Sequence, residues 1–210
     1  MAAPAPLLDT AKDASPEYHG GLTVAKAFAL AIEEAAKAHP AAEPLISYAA
    51  LVAPEPIPLF LFSEARETFG EPFASEIAGD GLDEAVAALR AFALVDRETI
   101  PDERDPSIAT DTIRLHRLVR IAAAARRQVA ADETARRVLV RAMAAVYPFG
   151  VWNDPAAWRR ARRLDALALG LVGHEAPPTG AEASTSYLID RLASYRQAAL
   201  ASYSEARAAL

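Results

Sequence analysis

One change of rhythm constrains this chain more than any other feature. In the stretch DTIRLHRLVR, residues 111–120, the apolar residues of TIRLH alternate; from His116 onward the pattern becomes HRLVRIAAAARR, rich in alanine and arginine. Alternation marks a strand and a 3.6-residue period marks a helix, so a strand gives way to a helix at His116. A second β-prone run, LVDRETI, lies upstream across the polar loop PDERDPSIATD. Two such runs around a polar loop predict a hairpin. Elsewhere the chain offers little for a sheet. Apolar residues make up 52% of its 210 positions, but alanine, the best helix former, supplies much of that share, and β-branched and aromatic residues are sparse. The expected fold class is mainly α with one hairpin.

Helices are predicted on both sides of that hairpin. Val24, Phe28, Ile32 and Ala35 form one apolar stripe, with Thr23 or Gly21 to cap its start and HPAAEP to end it. LISYAALVA reads as a short buried helix. A third helix is expected to begin near Pro58, a residue suited to the first helical position. The turn-rich GEPFASEIAGDG then leads to LDEAVAALRAFA, where Asp80 can cap and Leu82, Val86, Leu89 and Phe92 make a narrow apolar face. Beyond the hairpin, helices are expected over roughly 116–130, 132–147, 155–171 and 185–210. Asp154-Pro155 supplies a cap followed by a first-turn proline, and GHEAPPTGAEAS reads as a linker. Residues 1–21 carry turn signals and little periodicity, so they read as an opening segment.

Several chemistries are excluded. With no cysteine there are no disulfides, thiolate metal sites or thiol nucleophiles. None of the three lysines, Lys12, Lys26 and Lys37, follows a glycine, so this chain cannot build a P-loop by itself. HExxH, GxSxG and histidine pairs at helical spacing are also missing, so neither a metal site nor a catalytic residue is expected. The N-terminus lacks the apolar core of a signal peptide, and the longest apolar runs fall short of a membrane span. The chain reads as cytoplasmic, without a membrane.

The net charge of −6 conceals an asymmetry. Residues 114–163 hold twelve arginines against Asp132, Glu133 and Asp154. The simpler reading is a set of solvated helix faces paired with acids elsewhere; the sharper one is a surface for an acidic partner or a polyphosphate. A DNA-binding winged helix would need positive charge on its recognition helix and wing. Here 82–93 holds Asp83 and Glu84 against Arg90, and 99–111 holds Asp102, Glu103, Asp105 and Asp111 against Arg104. Both surfaces would repel a duplex, which argues against a nucleic-acid partner.

Three further segments carry a likeness. HPAAEPLISYAALVAPEPIPLFLF, then LDEAVAALRAFALVDRE, then TIRLHRLVRIAAAARR, resemble the winged-helix region that comes after the nucleotide-binding core of NB-ARC-type STAND NTPases. LVRAMAAVYPFGVWNDPAAWRRARRL and YLIDRLASYRQAALASYSEARAAL resemble the next part of the bacterial members, a helical connector and the opening of a tetratricopeptide array, where Leu192, Ala193, Tyr203 and Ala206 suit a helix pair. The resemblance covers most of 22–210. It implies a winged-helix domain of three helices and a hairpin wing over 22–130, a connector over 131–181 and tetratricopeptide-like helices over 182–210.

The resemblance also implies roles. In that family a histidine at the wing-to-helix junction contacts the β-phosphate of ADP bound to the NTPase core, and His116 matches it. The Met-His-Asp pattern of the plant relatives is Leu115-His116-Arg117 here, so the acidic third position is not retained. Arg114, Arg117 and Arg120 neighbour His116 and are the expected interaction residues. The implied function is a non-catalytic regulatory module of a STAND-type signalling NTPase, which packs on a nucleotide-binding domain in cis and helps hold its ADP-bound resting state. Other proteins would dock on the tetratricopeptide array. The likeness begins after the NTPase core, so ADP and ATP belong to the parent protein and no cofactor is expected in this chain alone. Two other readings compete. One is a DNA-binding winged helix using the basic helices of 114–163. The other is a helical adaptor that receives a partner near Trp152, Trp158 and Tyr187. For His116 itself, the bland alternative is a partly buried histidine bonded to backbone.

Overall fold

The computed structural model describes residues 24–52, 54–126, 129–173 and 177–208. The first apolar stripe folds as predicted into α1 (Val24–Ala38), with Ile32 and Ala35 buried and Phe28 packed against the core. Its expected caps, Gly21 and Thr23, lie outside the described residues. Helix α2 (Ala42–Ala49) turns Ala42, Leu45, Ile46 and Ala49 inward.

Pro58 takes a different place from the one its type suggests. Ile57–Pro58 form a short strand, β1, paired with the later strand β3 (Ala109–Leu115) through Ile57↔Ile113 and Pro58↔Thr112. On an edge strand a proline need not donate to the ladder. The helix starts just beyond, at α3 (Phe60–Glu64), breaks at Ala65 and resumes as α4 (Arg66–Phe69). The predicted loop 70–81 contains one helical turn, α5 (Phe73–Glu76).

Helix α6 (Gly81–Ala91) buries Leu82, Val86 and Leu89 as its spacing predicts, although the Asp80 side chain forms no cap hydrogen bond. Phe92 is a departure, at 39% exposed. The cause lies in the backbone. Ala93 adopts a left-handed φ of 53°, its N–H reaches Arg90 O at 2.9 Å, and Leu94 N reaches Leu89 O at 3.0 Å. This is a Schellman closure, which reverses the chain. Leu94, fully buried, takes the core position that Phe92 vacates.

Strands β2 (Val95–Pro101) and β3 form the hairpin, in register from Val95↔Leu115 to Pro101↔Ala109. The sheet is antiparallel in the order β1-β3-β2. Val95, Ile113 and Leu115 face the core, and buried Thr112 donates its hydroxyl to Glu98 O at 2.9 Å. Four helices follow among the described residues: α7 (Arg117–Ala125), α8 (Val129–Val146), α9 (Pro155–Val172) and α10 (Glu182–Ala208). Asp154 caps α9 as expected, its Oδ1 accepting from Ala156 N at 2.9 Å. Helix α10 runs unbroken, so no turn divides 182–208 into two helices.

The fold is mainly helical with a small three-stranded antiparallel sheet. One continuous set of buried side chains joins Ile32 of α1 to Ala199 of α10, and α8 contributes Leu139, Val140 and Met143 to it. No helix among the described residues is long and apolar enough to cross a membrane.

Candidate functional site

The junction of β3 and α7 is shaped by the switch in period seen in the sequence. Leu115, the last strand residue, and Val119, in the first turn of the helix, are both buried. Between these two anchors His116 stays exposed, with extended backbone angles of −60° and 140°. It is the N-cap of α7. Its Nδ1 accepts a long hydrogen bond, 3.4 Å, from Leu118 N, and its carbonyl accepts from Arg120 N at 3.1 Å. An imidazole that accepts at Nδ1 carries its proton on Nε2, so the ring presents an N–H donor on the side away from the cap. The bland reading, a partly buried histidine bonded to backbone, matches the backbone bond but not the exposure.

The three arginines expected beside it differ in their environments. Arg114 is exposed and pairs with Glu98 across the hairpin at 3.2 Å, a contact of small energetic weight at such exposure. Arg117 is exposed and has no charged partner among the described residues. Arg120 is half-buried; burial pulls its pKa below the ordinary arginine value, and nearby Glu55 acts in the opposite direction. Leu118, 38% exposed, lies in the same turn. The structure thus gathers His116, Arg117 and Arg120 at one helix start, with Arg114 two residues before it.

The remaining arginines of 114–163 are largely engaged within the chain. Arg126 ties the end of α7 to Glu33 of α1 and Glu43 of α2, at 3.2 and 3.3 Å. Arg160 of α9 binds Glu64 at 3.0 Å and lies 4.1 Å over the Phe60 ring. Arg136 donates to Leu171 O at 2.9 Å, and Arg137 and Arg141 donate to Thr179 O and Gly180 O. Arg127 lies outside the described residues. The pairs with acids match the simpler sequence reading; the bonds to backbone carbonyls were not part of it.

The largest such pairing involves the β2–β3 loop. Arg162 of α9 contacts Glu103 and, at 3.3 Å, Asp102. Arg163 contacts Glu103 at 3.0 Å and donates to Pro101 O at 2.7 Å, and Arg159 stands 4.0 Å from Asp105. Arg104 lies 5.6 Å over the Trp158 ring. The three loop carboxyls all have pKa values below the ordinary range. For Asp102 the leading cause is the N–H of Arg104; for Asp105 it is the hydroxyl and N–H of Ser107. Burial acts against the shift at Glu103, but its own N–H and the two arginines outweigh it. The acids were legible in the sequence; their partners, some sixty residues away, were not.

The three aromatics singled out in the sequence part company. Trp158 is buried, its Nε1 donating to Val151 O at 2.7 Å. Trp152 is 44% exposed and meets Phe149, 66% exposed, edge-on at 4.9 Å. Arg191 lies 4.6 Å over each of these rings and 5.1 Å over Tyr187. Neither Phe149 nor Arg191 stands out in the sequence, because ring stacking between a turn and a later helix leaves no local signature. Among the described residues, no group of three or more histidines and carboxylates could hold a metal ion.

The chain matches no family model, no curated protein and no solved structure.

Proposed function

We propose that this chain is a non-catalytic regulatory module of the kind that comes after the nucleotide-binding core in NB-ARC-type STAND NTPases. In this reading the β3–α7 junction packs on such a core and helps hold its ADP-bound resting state. The observation that carries the reading is the exposed His116 ring at the start of α7, with Nδ1 engaged by Leu118 N at the cap. The sheet lends support: a short strand β1 lies against β3 of the hairpin, with helices before it and between it and the hairpin, although six helices rather than three precede the hairpin among the described residues.

Magnitudes define the role. One hydrogen bond to a charged phosphate contributes about 1.5–3 kcal/mol. Driving a switch from mostly open to mostly closed needs roughly 5.5 kcal/mol. His116 tunes such a switch, and packing around exposed Leu118 and Arg117 supplies the remainder. The test is calorimetry with ADP. The chain alone should bind ADP weakly. In a protein that joins it to a nucleotide-binding core, His116→Ala should weaken ADP binding by roughly ten- to a hundredfold. Tight ADP binding by this chain alone, or no effect of the substitution in the joined protein, overturns the reading.

A second reading, a helical adaptor, draws support from the exposed Phe149–Trp152 pair. A DNA-binding role draws little. Asp83 and Glu84 of α6 are engaged by Arg97 and His39, and the hairpin loop is occupied by the arginines that such a role would need.

A further inference from the structure

The β2–β3 loop is held from two directions. Internally, the Asp102 carboxylate accepts from the N–H groups of Arg104 and Asp105, at 2.9 and 3.2 Å, while Asp102 N reaches Ile108 O at 2.7 Å. Externally, Arg159, Arg162 and Arg163 project from one end of α9 onto its acids and onto Pro101 O. The Arg162–Asp102 contact is more sheltered than the other ion pairs of the hairpin, whereas Glu103 is half-exposed. Asp102 is 5% exposed, and the Arg162 and Arg163 side chains are 19% and 14% exposed, against 46% for Arg114. A pair so placed is poorly screened, and removing Arg162 takes an opposite charge away from a buried carboxylate.

From this anchor the hairpin runs to the functional end without a break. Seven consecutive pairs join Pro101↔Ala109 to Val95↔Leu115, and His116 comes directly after. At about 3.3 Å per residue this is a stiff span of roughly 20 Å. Behind the anchor, α9 is clamped to α10 by Arg196, which binds both oxygens of Asp165 at 3.0 and 2.8 Å. Ionic contacts therefore link α10 to α9 and α9 to the loop, and the ladder links the loop to His116.

We propose that the arginines of α9 and the acids of the β2–β3 loop form a latch that couples displacement of the α9–α10 helices to the position of His116. A partner that shifts α10 would act on the loop through this latch and move the histidine without touching it. What the movement regulates rests on the regulatory function proposed for the junction, but the coupling is a property of this chain alone. It can be measured without nucleotide or partner, so its failure and the failure of that reading are distinguishable.

The experiment is amide hydrogen exchange on the full chain carrying Arg162→Ala with Arg163→Ala, folding being checked by circular dichroism. Exchange over 109–118 should quicken by at least about fivefold, the lower end of coupling between linked sites. Exchange over 24–49 should stay unchanged. Glu103→Gln, at a half-exposed side chain, should give the same pattern more weakly, and it decides the matter by the same readout if the double variant does not fold. Faster exchange confined to 102–108 overturns the proposal, because the loop then frays on its own. A uniform rise across the chain overturns it equally, because the arginines then serve general stability.

Discussion

Ala93 is the place where a single methyl group should cost this fold the most for the least return. Its φ of 53° lies in the left-handed region, where the Cβ of an L-residue crowds the following carbonyl at a cost of about 1–2 kcal/mol. The Schellman closure of α6 imposes that angle, since the N–H groups of Ala93 and Leu94 are committed to Arg90 O and Leu89 O. Replacement by glycine removes the crowding. Because Ala93 is exposed, little burial is lost with the methyl. Against this, glycine loses more backbone freedom on folding, about 0.5–1 kcal/mol. The balance predicts that Ala93→Gly stabilises the protein by about 0.5–1 kcal/mol, a rise in Tm of roughly 1–4 °C for a chain of this size. The control is Ala87→Gly, also exposed but inside α6, which should destabilise by about 1 kcal/mol. Thermal melts followed by circular dichroism read both. If the two substitutions lower Tm alike, the left-handed closure is not the conformation that this chain holds in solution.

Buried and loop-held groups give two further expected outcomes. The Tyr147 hydroxyl is buried without a hydrogen-bond partner among the described residues, and burial, reinforced by Asp165, raises its pKa well above the ordinary tyrosine value. Tyr147→Phe should therefore be neutral or stabilising by up to about 1–2 kcal/mol in urea denaturation, and a clear loss would reveal a partner for that hydroxyl. The depressed pKa values of Asp102, Glu103 and Asp105 give a stabilisation that is full above their unfolded values near pH 4 and is lost as pH falls through the lower folded values. Asp102→Asn should accordingly lower stability at pH 7 and flatten its decline below about pH 4. A series of urea melts across that range checks this, and an acid decline as steep as the unsubstituted chain's would count against it.

How much of the fold could be read from the sequence depends on the range over which each signal acts. The hairpin and the start of α9 were legible because alternation and an Asp-Pro cap are written in neighbouring residues. The unbroken α10 was legible in principle, since 182–208 contain neither glycine nor proline. Pro58 was misplaced because proline suits both a first helical turn and a sheet edge, and only pairing with β3 decides between them. Phe92 kept its helical spacing but lost its place when Ala93 reversed the chain, and alanine gives no warning of a left-handed residue. At the candidate site, the position of His116 could be read and the engagement of its Nδ1 could not. A ring's orientation depends on the cap it forms, and both nitrogens look alike in a sequence.

The proline at the rim of the small sheet has one more effect. An open strand edge is a standing invitation for a foreign strand to zip alongside, the route by which many domains recruit peptides or aggregate. Here one rim is two residues long and ends in Pro58, and the other, β2, carries Asp96, Arg97 and Glu98 and also closes on a proline. Backbone-to-backbone recruitment is thereby discouraged on both flanks, so a foreign strand would find no long, unguarded edge on this sheet.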